Sequence, residues 1–202
     1  MAVPAIPMPP PAADTESLSE PEAATRRPLS ELLPTGNARV FVIAAAAALI
    51  VGSFADFGLH GHALLGAVLC PALVLLAAID WRHKLLPNEI ILAASLAVGL
   101  IVAASTPGDF LTHLAAGAAL GGFFFIFAAI LAGSLGMGDA KLGFLIGLSL
   151  GSKTLGATLI AFAGLLVAAL YILASRGASA RKDTIPFGPF LALGAIVAYF
   201  LG

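Results

Sequence analysis

Two aspartates stand where long apolar runs of this chain break. Asp139 closes the tetrapeptide Gly136-Met137-Gly138-Asp139, just ahead of Lys141, and Asp80 ends another apolar run, followed by Arg82 and Lys84. A charge held at or inside a membrane boundary is expensive, so such residues line a site, a pathway or a pair. The glycines beside Asp139 let backbone approach where a bulkier residue would collide. Two carboxylates are the smallest equipment for hydrolysing a peptide by the aspartyl route. One, ionised, takes a proton from water; the other, protonated, donates to the scissile carbonyl oxygen. Proximity supplies that asymmetry, because two close like charges do not both ionise cheaply and their titrations couple. The rival chemistry is transport, with Asp80 and Asp139 as proton or cation sites in a small transporter or channel.

The elements that must position them are membrane helices. The chain of 202 residues is 60% hydrophobic and 10% charged, and its mean hydropathy is +1.04. A water-soluble domain of this length needs far more polar surface, so the sequence predicts an all-α, polytopic integral membrane protein. Nothing in it forms a basic nucleic-acid face. Residues 1–38 differ from the rest: they hold eight of the 13 prolines and five of the 11 acids. Such a segment buries too little to offset its conformational entropy and reads as a disordered, proline-rich cytoplasmic tail ahead of a membrane domain over 39–202. The single cysteine, Cys70, reads as a small core residue.

From Val40 onward the apolar runs predict seven spans: Val40–Ala55, Ala63–Ile79, Ile90–Ser105, Leu111–Gly133, Ala140–Gly151, Leu155–Ala174 and Pro186–Leu201. Several fall short of the roughly 20 residues a perpendicular helix needs. Pro71 should bend the second. Arg26, Arg27, Arg39, Arg82, Lys84, Lys141, Arg176, Arg181 and Lys182 all fall on one side of this topology and Lys153 alone on the other. The positive-inside rule then places the N-terminus in the cytoplasm and the C-terminus outside. Both Asp80 and Asp139 land at the cytoplasmic edge, whereas Asp56 and Asp109 fall in loops on the opposite face. Asp183, cytoplasmic beside Arg181 and Lys182, reads as a surface charge. A transport pathway would need an acid near mid-membrane, which favours hydrolysis.

Asp139 opens its span, where a helix N-terminus stabilises negative charge, and Asp80 closes its own, where the C-terminus disfavours it. Asp139 is therefore expected to be the ionised partner more often. Asp139, Gly143, Gly147 and Gly151 recur every fourth residue along one helix face. Small residues at that spacing let membrane helices pack backbone to backbone. Alone, the stripe reads as ordinary packing, with the Asp80 helix as a plausible neighbour; Gly117 and Gly121 in the fourth span read the same way.

The segment Ile79-Asp80-Trp81-Arg82-His83-Lys84-Leu85-Leu86-Pro87-Asn88 resembles the first-aspartate motif of type IV prepilin peptidases. Gly136-Met137-Gly138-Asp139-Ala140-Lys141-Leu142 is similar to their Gly-x-Gly-Asp-x-Lys-Leu motif, and Ile185-Pro186-Phe187-Gly188-Pro189-Phe190-Leu191 to the segment opening their last helix. The resemblance implies an integral-membrane aspartyl endopeptidase of the bacterial cytoplasmic membrane, without metal or organic cofactor, with Asp80 and Asp139 as the catalytic pair. Its implied substrates are prepilins or pseudopilins, cut on the cytoplasmic side, typically after glycine, to release a short basic leader. Bifunctional members carry an insert with paired cysteines and also methylate the new N-terminus. With one cysteine, this chain looks closer to the compact peptidases of tight-adherence (Flp-type) pilus systems, and the resemblance does not extend to methyl transfer. Preflagellin peptidases, an alternative, and presenilin-like proteases share the dyad.

The remaining residues have plainer readings beside their motif roles. Pro87 and Asn88 break the chain before the third span or shape the loop beside Asp80. Arg82 and Lys141 are interface anchors or partners that tune the carboxylates. Gly136 and Gly138 permit close approach. Pro186, Gly188 and Pro189 start the last helix, or leave backbone groups for a substrate strand. His60, His62 and His113 share the external face without a clear ligand set. Trp81 and Tyr199 read as interfacial anchors, and Phe123-Phe124-Phe125 as lipid-facing or core bulk.

Overall fold

The described residues form a bundle of seven helices that begin and end close to the seven apolar runs. The computed structural model describes residues 28–58, 60–130, 136–176 and 185–201. After a helical turn at Leu29–Leu32 come α1 (Asn37–Phe57), α2 (Gly61–His83), α3 (Asn88–Ser105), α4 (Phe110–Ile130), α5 (Met137–Leu150), α6 (Thr154–Arg176) and α7 (Gly188–Phe200). No strand occurs among the described residues. Leu32 and Pro34 are buried, so the chain is already packed a few residues ahead of α1. Residues 1–27 of the proline-rich segment, with Arg26 and Arg27, lie outside the described residues, as do Arg181, Lys182 and Asp183.

Five stretches are long and apolar enough to cross a membrane, the fifth being Met137–Arg176 taken whole. That stretch is not one rod. Gly151, at φ +55°, ends α5, and the 3-10 turn Gly151–Lys153 reverses the chain. The positive φ is one that only glycine adopts without strain. α6 then runs back antiparallel to α7: Ala157 and Ala161 lie against Gly194, Gly164 faces Phe190, and Phe162 packs on Phe187. Large apolar side chains point outward along the bundle, among them Phe41, Leu100, Leu111 and Tyr171, each more than 70% exposed. A surface of that kind belongs against lipid, and helices satisfy their own backbone there. This is a multi-pass membrane protein.

The core sits on α2, which packs against α1, α3 and α7. Its residues Leu65, Leu69, Cys70, Leu73, Leu76 and Ile79 are essentially inaccessible. α2 remains helical on both sides of Pro71. α5 is the other buried element: Leu142, Leu145, Ile146, Leu148 and Leu150 are all enclosed, as befits a helix apolar on every side.

The glycine stripe of α5 packs on α4, not on the helix that carries Asp80. Gly143 faces Phe124 and Leu120, Gly147 lies on the backbone of Ala116 and Gly117, and Gly151 meets the His113 ring. Gly117 and Gly121 return the contact against Phe144 and Ala140. The two stripes are each other's partners, because small faces on adjacent antiparallel helices let the axes approach until backbone touches backbone. Periodicity showed both faces without showing that they pair.

Opposite ends of the bundle are pinned differently. Away from Asp80, the Tyr199 hydroxyl donates to the His62 carbonyl at 2.7 Å, and His113 Nδ1, as N–H, to the Leu148 carbonyl at 2.9 Å. Tyr199 is thus buried at 4% exposure rather than an interfacial anchor, while Trp81, 64% exposed, matches that reading. Tyr199 differs because its hydroxyl finds a carbonyl inside the bundle.

A methyl group on Gly147 would be driven into the Ala116 carbonyl, whereas one on Gly156 would meet open space. Gly147→Ala should therefore lower thermal stability in detergent by roughly 1–3 kcal/mol. Gly156→Ala should be neutral or stabilising, by about 0.4–1 kcal/mol. Melting curves of the two variants beside the parent chain check this.

Candidate active site

Asp80 lies one turn from the end of α2. The helix stops because Lys84 adopts a left-handed conformation, φ 51° and ψ 37°, and its N–H closes on the Asp80 carbonyl at 2.9 Å. Lys84 is the only non-glycine residue with positive φ among the described residues. Leu85 and Leu86 lie outside any helix and lead to Pro87, whose fixed φ of −63° starts α3 at Asn88.

Asp139 occupies the first turn of α5. Its carboxylate Oδ2 reaches back to accept the Gly136 N–H at 3.2 Å, while the Asp139 N–H donates to the Gly136 carbonyl at 3.0 Å. This is the acidic half of a capping box, with the N-cap contributing backbone alone. The sequence-based span began at Ala140; the helix begins at Met137 because Asp139 caps it.

The third arm comes from the start of α7, where Gly188 N–H donates to Asp80 Oδ2 at 2.9 Å. Asp80 and Asp139 are 6% and 9% exposed, and Gly138, next to Asp139, packs on Leu86 of the loop that follows Asp80. The structure thus brings both carboxylates to one end of the bundle. Each has one oxygen tied to a glycine N–H at a helix start. Asp80 closes its own helix, yet the N-terminus of α7 faces it. The dipole contrast that separates the two acids in the sequence is therefore offset at Asp80.

Two further contacts join the motifs. Gly138 presses on Leu86, where a Cβ would come within 2.8 Å of the Leu86 Cβ. Lys141 Nζ donates to Asn88 Oδ1 at 2.7 Å, tying the start of α5 to the start of α3. Lys141 therefore bonds an amide of the other motif rather than a carboxylate. Pro87 is buried in the loop. Arg82 is exposed and pairs with neither carboxylate. Pro186 and Pro189, both half-buried, bracket Phe187 and Gly188. Among the described residues no three His, Cys, Asp or Glu side chains gather as a metal site.

Two residues of the site stood in the motif segments without a role of their own. Leu86 is the surface on which Gly138 rests. Phe187 seats the start of α7, its ring 5.4 Å from Phe124 at 79° and 5.5 Å from Phe162. Of the Phe123-Phe124-Phe125 run only Phe124 is buried, since it fills the space that Gly143 leaves.

A bundle of apolar helices with two buried, hydrogen-bonded carboxylates at one end defines a polytopic membrane protein. Comparison with known proteins narrows the class. Residues 67–173 match the Type IV leader peptidase family, and the chain belongs to that family. It is similar to a prepilin leader peptidase/N-methyltransferase of Bacillus subtilis, 34% identical over 161 residues, covering 77% of this chain and 63% of the relative. The protein of the same name from Burkholderia pseudomallei is 34% identical over 178 residues, covering 84% of this chain and 56% of the relative. The chain thus spans less than two thirds of these relatives. No solved structure is a significant match.

Breaking the Lys141–Asn88 bond by Lys141→Met or Asn88→Ala should loosen the two helix starts together. A double-mutant cycle on unfolding should return a coupling of roughly 0.5–1 kcal/mol. Asn88→Asp, which turns the bond into an ion pair, should keep the contact.

Proposed function

We propose that this chain is a membrane-embedded aspartyl endopeptidase that cuts the leader from prepilin-like substrates, with Asp80 and Asp139 as its catalytic pair. The observation that carries the reading is the convergence of these two buried carboxylates at one end of the bundle, in a chain of the Type IV leader peptidase family. With one oxygen of each held by a glycine N–H, the other oxygen of each is left for water and substrate. Water oxygen adds to the scissile carbonyl carbon as one carboxylate removes its proton, and the other carboxyl protonates the carbonyl oxygen. The tetrahedral adduct collapses by breaking the C–N bond: the amine leaves with the proton taken from water, and one hydroxyl of the adduct returns a proton to the carboxylate that had protonated the carbonyl oxygen. The residues complete this cycle without a metal or organic group.

Charge supports the side on which this happens. Arg39, Arg82, Lys84, Lys141 and Arg176 sit at the helix ends shared with the carboxylates, and Lys153 lies at the opposite end. By the positive-inside rule the pair faces the cytoplasm of a bacterial inner membrane, with the N-terminus inside. The substrate that fits is a prepilin or pseudopilin with its apolar helix in the bilayer and its leader in the cytoplasm, cut after glycine. The proposal covers cleavage alone and not the methyl transfer that the relatives' names include. Both acids lie at one boundary, so transport has no stepping stone across the bilayer.

Incubating the chain in nanodiscs with a tagged prepilin tests this. Asp80→Asn and Asp139→Asn should each lose cleavage by on the order of 1,000-fold or more, and the double variant should be no worse than either, as for residues that act as a unit. Cleavage that survives either substitution removes that residue from the pair.

A further inference from the structure

The first turn of α7 has a complete hydrogen-bond account, and one donor in it goes to Asp80. A helix start leaves its first N–H groups without partners inside the helix. Here Pro189 has no N–H, and the N–H groups of Phe190 and Leu191 both close on the Phe187 carbonyl, at 3.1 and 3.2 Å. Gly188 N–H is the remaining donor. Asp80, 108 residues earlier in the chain, accepts it in a buried setting. Asp80 thus caps a helix to which it does not belong. A Cβ on Gly188 would approach Asp80 Oδ2 to 2.6 Å, Cγ to 3.1 Å and Cβ to 3.3 Å. The carboxylate fills the space that a side chain at 188 would take.

We propose that Gly188 is a positioning residue for Asp80, its N–H fixing one carboxylate oxygen and its missing side chain admitting the group, so that the other oxygen faces the reaction. The proposal rests on the reading of Asp80 as catalytic. It gives the Pro186–Pro189 segment a role in catalytic geometry: the Gly188 N–H is committed inside the protein and is not offered to a substrate strand. Phe187, wedged against Phe124 and Phe162, holds the donor in place. Donor and space make separable demands. Gly188→Ala removes the space and keeps the N–H. Glycolic acid at position 188, incorporated during in vitro translation into nanodiscs, removes the N–H and adds no atoms.

Both changes should lower kcat on a tagged prepilin, by on the order of ten-fold or more for loss of a buried bond to a charged group, with KM unchanged. The same ester at Gly156, remote from the site, should turn over normally. In infrared spectra the Asp80 carboxyl band, identified by its loss in Asp80→Asn, should shift in both position-188 proteins and not in the Gly156 control. Parental kcat in the position-188 ester, beside an inactive Asp80→Asn, overturns the positioning role and leaves the dyad standing. A loss of activity that rises through KM, with the band unmoved, also overturns it. Full activity in Asp80→Asn removes the dyad and the positioning role with it.

Discussion

A carboxylate buried among apolar helices needs hydrogen-bond donors, since leaving it without them costs several kcal/mol. Here the donors are backbone, and they come from helix starts. The N-terminus of a helix carries N–H groups that the helix cannot use, with a partial positive charge behind them. Gly136 serves Asp139 within its own motif, and Gly188 serves Asp80 from the far end of the chain. Much of the bundle follows from this need. Two helices must begin beside the two acids, and each must present backbone without a side chain in the way.

Glycine does two kinds of work in meeting that demand. At 136 and 188 it exposes donors. Along α5 and α4 it sets how deeply α5 sits, because backbone on backbone is the closest approach two helices can make. The depth of α5 fixes the place of Asp139, and the pressure of Gly138 on Leu86 registers it against the loop that follows Asp80. Lys141 and Asn88 close the same joint from the exposed side. The dyad is therefore located by packing through three separate segments, not by local sequence around either aspartate.

This explains what was legible in the sequence. Hydropathy placed all seven helices to within a few residues, because a membrane demands long apolar runs and a helix pattern within them. The two acids stood out because their polarity contradicts their surroundings. Partner choice did not stand out: a glycine stripe shows that a helix can be approached, not by which neighbour, so α4 rather than α2 emerged only in three dimensions. Gly188 looked like a helix start and is one, but nothing local to residues 185–191 shows that its N–H is bound by residue 80. Tyr199 misled for the same reason, its carbonyl partner lying 137 residues away.

The two helices that carry the donors are also the shortest of the seven, 14 residues for α5 and 13 for α7. At 1.5 Å per residue each covers roughly 20 Å, against about 30 Å for a bilayer core. Their far ends are held at the opposite side of the bundle, by His113 on Leu148 and by Tyr199 on His62. The start of α7 packs on Phe162, well before α6 ends at Arg176, and Ala140 lies against Gly121, well before α4 ends at Ile130, so both N-termini lie recessed behind the ends of longer neighbours. Recession sets the carboxylates beside the flanks of longer apolar helices, where both are buried. The low dielectric there strengthens any interaction between the two charges. Longer helices at these two positions would carry the donors to the surface and separate them from the acids they hold. The shortness of α5 and α7 is thus a condition of the site.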